Sequence, residues 1–256
     1  MKRLQKIFNG FLQRNKQQRI VFLSYGDKIF TESRKRIARE AAKIDFFDKI
    51  IVETEKIKQD GEFLSAIRSN ADFKQINSKE RGGGYYLWKP YALYKNLQKL
   101  NGDDILIYCD AGSTIPCNDY TMSTLKEYCG IVNGGEKGVL LFRNPHKESR
   151  WTKGDIFKHF NCIGNEKICE SRQFSDGIMQ VIPKCDHSMS IYSRWWETAK
   201  KPPRLFDDSP SKPPNFANFK ENIHEQSVLS IISKIHGVEE IDNWESIPIV
   251  PTKIRK

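Results

Sequence analysis

Asp103-Asp-Ile-Leu-Ile-Tyr-Cys-Asp-Ala-Gly-Ser113 is the stretch on which the fold turns. Ile105 to Cys109 are apolar without alternation, which predicts a strand buried on both faces, as at the centre of a parallel sheet. The run ends abruptly in Asp-Ala-Gly. Asp110 is thereby placed at the carboxyl edge of the sheet, where open α/β sheets bind ligands. At a rise of ~3.3 Å per residue, Asp104 stands roughly 20 Å from Asp110. Asp103 and Asp104 therefore read as the polar turn entering the strand, at the opposite edge.

Before this strand, Arg19-Ile-Val-Phe-Leu-Ser-Tyr-Gly26 and Phe47-Asp-Lys-Ile-Ile-Val-Glu53 read as two more strands, with a charged helix over 30–43 between them. Strand, helix, strand at that spacing predicts a parallel βαβ unit. Residues 60–80 are polar and partly helical in pattern, and Leu87 to Leu100 is a helix with one apolar face. After the central strand come a helix over 120–129, a strand over 138–142, a mixed polar stretch to Phe174 with a helix from about Lys153, a strand over 177–183 and a helix over 188–200. Five prolines between Lys201 and Phe219 predict a surface loop. Glu225 to Ile235 is a last helix. The expectation is one α/β domain over 20–256, a mostly parallel sheet flanked by helices, preceded by an arm over 1–19.

The chain has 256 residues, 38% of them hydrophobic, enough for one substantial core. Of the net charge of +10, six charges fall in residues 1–19 with no acid among them, so the body is nearly balanced and nucleic acid is not the expected partner. Leu4, Ile7, Phe8, Phe11 and Leu12 recur in the arm at helical spacing, which suits either an anionic membrane surface or packing on the domain. Six cysteines without a Cys-x-x-Cys pair read as reduced thiols. No apolar run approaches the ~18 residues of a membrane span, and no signal-peptide pattern opens the chain. The location expected is cytoplasmic, peripheral on the membrane at most.

Four segments carry candidate chemistry. Asp110 suits a hard cation across a diphosphate, with Ala111 and Gly112 small enough for close approach; it equally suits a turn cap. Arg81-Gly-Gly-Gly-Tyr-Tyr-Leu-Trp-Lys-Pro90 joins a glycine run to aromatics and Lys89. It can close over a nucleotide with Arg81 or Lys89 on phosphate and a ring such as Trp88 on base or sugar, or be a plain loop with a core aromatic cluster. Trp151-Thr-Lys-Gly-Asp155 offers Lys153 and Asp155, or a helix cap by Thr152. His224-Glu-Gln-Ser227 sets His224, Glu225 and Gln226 at a helix start, where they reach a ligand or simply suit the first turn.

Together and in this order, these segments resemble a family of GT-A-type glycosyltransferases found in surface-polysaccharide clusters and large DNA viruses. That family's pattern is an arginine and glycine-rich loop running into Tyr-Trp-x-Trp-Lys-Pro, a strand ending Tyr-x-Asp-Ala-Gly, a Trp-Thr-Lys-x-Asp segment and a late His-Asp-Gln-Ser. The match spans roughly residues 20–236. Tyr86 stands where the family often has Trp, Glu225 replaces Asp, and Asp-Ala-Gly lacks the second carboxylate of an Asp-x-Asp metal motif.

The resemblance implies a Rossmann-like sheet and transfer of a sugar from a UDP- or GDP-linked donor to a glycan or lipid-linked acceptor. Ser24, Tyr25, Arg81, Trp88, Lys89, Asp110, Ala111, Gly112, Lys153 and Gln226 would contact the donor. Glu225, then Asp155, are the candidate bases for the acceptor hydroxyl, with Asp110 facing the diphosphate. Mn2+ or Mg2+ would be held by Asp110 and His224, or be replaced as charge stabiliser by Lys89, Arg81 and Lys153. The missing carboxylate leaves open an inactive module that binds sugar nucleotides, and the basic arm one that binds anionic surfaces.

Overall fold

A computed structural model describes residues 18–135, 137–242 and 247–251; of the predicted arm, residues 1–17 lie outside the described residues. The strands are β1 (Ile20–Tyr25), β2 (Lys49–Glu53), β3 (Ile105–Tyr108), β4 (Ser113–Thr114), β5 (Leu140–Lys147), β6 (Arg172–Ser175), β7 (Gln180–Pro183), β8 (Glu239–Ile241) and β9 (Val250–Pro251). The main helices are α1 (Thr31–Lys43), α2 (Gly61–Ser69), α3 (Ala71–Asn77), α4 (Trp88–Gln98), α5 (Asp119–Gly134), α6 (Gly154–His159), α7 (Asp186–Lys200) and α8 (His224–His236). Among the described residues they form a single α/β domain around one seven-stranded sheet, with β4 and β9 as a separate pair.

Every residue of β1 and β3 is buried, which is why Ile20 to Leu23 and Ile105 to Tyr108 read as apolar runs. Successive side chains alternate between two cores. Val21, Leu23, Leu106 and Tyr108 join a core with α4, α7 and α8, while Ile20, Phe22, Ile105 and Ile107 join another with α1 and α5. Asp110, two residues beyond Tyr108, keeps to the α4 side, where Tyr108 Oη donates to Asp110 Oδ1 at 2.5 Å.

The expected parallel arrangement holds for β2–β1–β3 and for β5–β8, whereas β3–β7, β5–β7 and β5–β6 are antiparallel. An apolar run specifies a buried strand and not its direction. Pairing on β5 is specific in one further way. Leu140 pairs with Val181 on one edge and Glu239 on the other, and Phe142 pairs with Ser175 and Ile241. Because β8 keeps to one edge throughout, β6 and β7 share the opposite edge. They are two pieces of one interrupted strand, and the interruption, residues 176–179, projects Asp176 and Gly177 toward the end of β3. The Asp110 N–H donates to Gly177 O at 2.8 Å.

The proline-rich stretch is an ordered loop with one 3-10 turn, Pro203–Leu205. Its anchor is the Trp151-to-Asp155 segment. Lys153 Nζ meets the Arg204 carbonyl, Asp207 O at 3.1 Å and Asp207 Oδ1 at 3.2 Å, and the Gly154 N–H donates to Asn215 Oδ1 at 2.7 Å. All six cysteines are free thiols.

Candidate functional site

Lys89 opens α4 and sends its ammonium under the carboxyl end of β3. Its Nζ lies 2.9 Å from Asp176 Oδ2, 3.0 Å from Glu225 Oε1 and 3.3 Å from Asp110 Oδ1. An ammonium has three N–H donors, and here each has a carboxylate. Burial alone would lower the Lys89 ammonium, but Asp110, Asp176 and Glu225 outweigh it and hold it well above its ordinary range. Burial pushes the Glu225 carboxyl well up, against the pull of Lys89, and the neighbouring Asp176 adds to the rise. Asp110 is also raised, by lost solvation and by Asp176, with Lys89 opposing. Glu225 is thus pushed up further than Asp110, and both share the Lys89 ammonium with Asp176.

Exposure separates the three acids. The Asp110 side chain is 46% accessible, against 7% for Asp176 and 6% for Glu225. Gly177 makes room for it, because a Cβ there would lie 2.3 Å from Asp110 Oδ2. The loop after Asp110 is braced from α1. Arg36 Nη2 donates to Ala111 O at 3.1 Å and Ser113 O at 2.8 Å, and Glu40 Oε2, one helical turn on, accepts the Ile115 N–H at 2.9 Å.

The glycine run is a left-handed turn. Gly82, Gly83, Gly84, Tyr85 and Tyr86 all have positive φ, and Tyr85 N and Tyr86 N donate four residues back to Arg81 O and Gly82 O. For Tyr85 and Tyr86 this conformation costs about 1–2 kcal/mol each. Trp88 Nε1 to Gly82 O at 3.0 Å, Lys58 Nζ to Gly83 O and Tyr85 Oη to Asp208 at 3.0 Å hold it in place. At position 84 a Cβ would sit 2.7 Å from Asn77 O, so only glycine fits. The turn presents Gly82, Gly83 and Trp88 to one wall of a cavity, and Trp88 stacks on Tyr25 with ring centroids 3.5 Å apart.

That cavity, of about 720 Å³, runs along the carboxyl edge of the sheet. One end is formed after β1 by Tyr25, Asp27 and Phe30, the middle by Lys89, Asp110, Asp176 and Gly177, and the other end by Asn144 to His146 and Gln226. Three strand spacings separate the β1 end from the β5 end, roughly 14 Å. Four carboxylates, on Asp27, Glu80, Asp110 and Asp176, line it against one ammonium. Burial, then Lys220, push the His146 imidazole below its ordinary range, so it adds no charge.

Of the residues singled out in sequence, Tyr25, Trp88, Lys89, Asp110, Ala111, Gly112 and Gln226 line this cavity, and Glu225 meets Lys89 beneath it. The others stand elsewhere. Ser24 is fully buried beneath the sheet edge. Arg81 pairs with Asp208 at 3.1 Å on the rim. Lys153 and Asp155 face the proline-rich loop, Asp155 accepting the Lys212 N–H at 3.2 Å. His224 donates Nδ1–H to Phe206 O at 2.8 Å and stacks on Tyr86, so it is not brought to Asp110. Among the described residues no group of three His, Cys, Asp or Glu side chains is arranged to hold a metal ion. Asp176, Gly177, Asn144 and His146 escaped the sequence reading; Ser175-Asp-Gly177 between two strand-like runs was their one signal.

No family model and no curated protein matches the sequence. Among the solved structures that resemble the fold are two glycosyltransferases. One is the apo form of the glycosyltransferase GlyE of Streptococcus pneumoniae TIGR4, at 16% identity and TM-score 0.42, with 88% of this chain covered. The other is apo mouse xyloside xylosyltransferase 1, at 13% identity and TM-score 0.46, again with 88% of this chain covered. The chain spans 45% of the length of the first and 84% of the second. Similarity of this extent leaves substrate and mechanism to the geometry of the site. No helix among the described residues is long and apolar enough to cross a membrane.

Proposed function

We propose that this chain is a glycosyltransferase that moves a sugar from a nucleoside-diphosphate donor to a glycan or lipid-linked acceptor, in surface-polysaccharide or glycoprotein-glycan synthesis. The observation that carries the reading is the Lys89 cluster midway along a cavity spanning the sheet edge. Three sequence segments far apart in the chain converge on that one ammonium: Lys89 itself, Asp110 of the Asp-Ala-Gly turn and Glu225 of His-Glu-Gln-Ser. The fourth, Trp151 to Asp155, shapes the loop behind them.

The order of groups along the cavity suggests their roles. Asp110, next to the β1 end, faces the donor diphosphate. Asp176, displaced toward β5 by the strand interruption, takes the proton of the acceptor hydroxyl as its oxygen attacks the anomeric carbon; the bond to the diphosphate breaks and its electron pair leaves with the nucleotide. Lys89 keeps Asp110 and Asp176 together, and the buried Glu225 positions Lys89 from beneath without touching substrate.

Four carboxylates against one ammonium make this cavity repel a bare diphosphate, which fits a donor that arrives with a divalent cation. Asp110 is the residue that would hold Mn2+ or Mg2+, and the ion would neutralise charge on the leaving diphosphate. Residues 1–19 would keep the chain against an anionic cytoplasmic membrane face, near a lipid-linked acceptor.

The test is hydrolysis and transfer across a panel of UDP-, GDP-, CMP- and dTDP-sugars, with and without Mn2+. The reading predicts nucleotide release from at least one diphosphate donor, stimulated by Mn2+ and abolished in Asp110→Asn. Release from none of them, or undiminished release by Asp110→Asn, contradicts it.

A further inference from the structure

The β5 end of the cavity differs in chemistry from the rest. Asp27 and Glu80 stand at the β1 end and Asp110, Asp176 and Lys89 in the middle, whereas Asn144, Pro145, His146, Ser175, Ile178, Ile223 and Gln226 bring no ionised group. Two of these side chains are amides with one half already engaged. Asn144 Oδ1 accepts the His146 N–H at 2.9 Å, which leaves the Asn144 NH2. Gln226 Nε2 donates to Gln173 Oε1 at 2.8 Å, which leaves the Gln226 carbonyl. The internal bonds thus fix which half of each amide a ligand meets: one donor and one acceptor. His146 adds a neutral imidazole, its ring 4.6 Å from that of Trp151, and Ile178, Ile223 and Pro145 supply apolar surface.

We propose that this end is a subsite for an uncharged sugar residue, the acceptor, held through its hydroxyls by Asn144, His146 and Gln226. It rests on the glycosyltransferase reading for the word acceptor, and on the lining residues for the class of ligand. A pyranose offers adjacent hydroxyls, each both donor and acceptor, and C–H faces for the apolar side chains; such a mix of a few fixed polar groups on an apolar wall is what small polar ligands select. A uronate or sugar phosphate would bring a second negative charge beside Asp176 with no cation lining that end to meet it. The Lys220 ammonium, whose charge acts on His146, is exposed and lies over the Trp151 ring, 4.9 Å from its centroid. Gln226, expected at the donor, belongs on this view to the acceptor.

Saturation-transfer NMR on the whole chain tests this without any turnover. The probes are the methyl glycosides of glucose, galactose, mannose, rhamnose and N-acetylglucosamine, with methyl glucuronide and glucose 6-phosphate as anionic counterparts, each with and without UDP and Mn2+. At least one neutral glycoside is expected to bind, to stay bound when UDP is added, and to lose about tenfold in affinity in Asn144→Ala and in His146→Ala, as the loss of one hydrogen bond allows. Binding by the anionic probes alone, by none of the probes, or equally by wild type and both variants overturns the proposal. Glycoside binding in a protein that binds no nucleoside diphosphate would instead keep the subsite and remove the donor reading.

Discussion

Replacing Lys89 by Met removes the charge that holds three carboxyl groups together while keeping most of the side-chain volume. Lys89 is 3% exposed, and Asp176 and Glu225 at 2.9 and 3.0 Å are nearly as buried, so little water can reach the gap. Removing one partner of a buried ion pair destabilises by about 3–5 kcal/mol, because the other charge is left uncompensated. The effect has a pH signature. In the unfolded chain carboxyls titrate near pH 4. In the fold Glu225 titrates higher, chiefly through burial. Its contribution to stability is therefore full below about pH 4 and is lost as pH rises through the folded value. Without Lys89 that value rises further, so the stability gap between variant and wild type should widen from pH 5 to pH 8. Urea unfolding at the two pH values measures it, with Lys35→Met, in an exposed pair with Glu32 at 2.7 Å, as a control that should change nothing. A gap below about 1 kcal/mol, or one equal at both pH values, would refute the charge assignment of the cluster.

Gly177→Ala places a methyl where Asp110 Oδ2 now lies, so the carboxylate must turn; donor hydrolysis should fall roughly 100-fold with the melting temperature nearly kept, and an active variant would show that Asp110 need not stand there. Arg36→Met releases the Ala111 and Ser113 carbonyls and should lower stability by about 1.5–3 kcal/mol and weaken nucleoside diphosphate binding, with Arg36→Lys between the two. Unchanged binding in calorimetry would mean that the brace does not set the loop. Lys153→Met should expose residues 203–219 to limited proteolysis and leave nucleoside diphosphate affinity as it was; a tenfold loss would return Lys153 to the donor.

The sequence was most readable where one periodicity was uncontested. The apolar runs of β1 and β3, the amphipathic patterns of α1, α4, α7 and α8, and the proline-rich loop stand where their residues put them. The reversed direction of β7 was not readable, since Val181 and Ile182 look the same whichever way the strand runs. β6 was missed because Arg172-Gln-Phe-Ser175 is buried by polar partners, with Gln173 satisfied by Glu148, Thr152, Ser227 and Gln226, so no hydrophobic alternation marks it. The same interruption that hid β6 delivers Asp176. Lys153 and Asp155 looked like site residues because a lysine and an acid near a helix start suit phosphate or catalysis; only tertiary contacts show that they bind the chain's own loop. His224 looked like a metal ligand for a similar reason, and its partner is a carbonyl.

Isothermal titration of UDP and GDP, with and without Mn2+, against wild type and Asp110→Asn tests the central claim most directly. Binding of one nucleotide, strengthened by Mn2+ and lost or made metal-independent in Asp110→Asn, is the predicted result; at 100 times its dissociation constant that nucleotide should also add about 2.7 kcal/mol of stability. No binding of either nucleotide, or binding that Asp110→Asn leaves untouched in strength and metal response, would contradict a donor site at the end of β3.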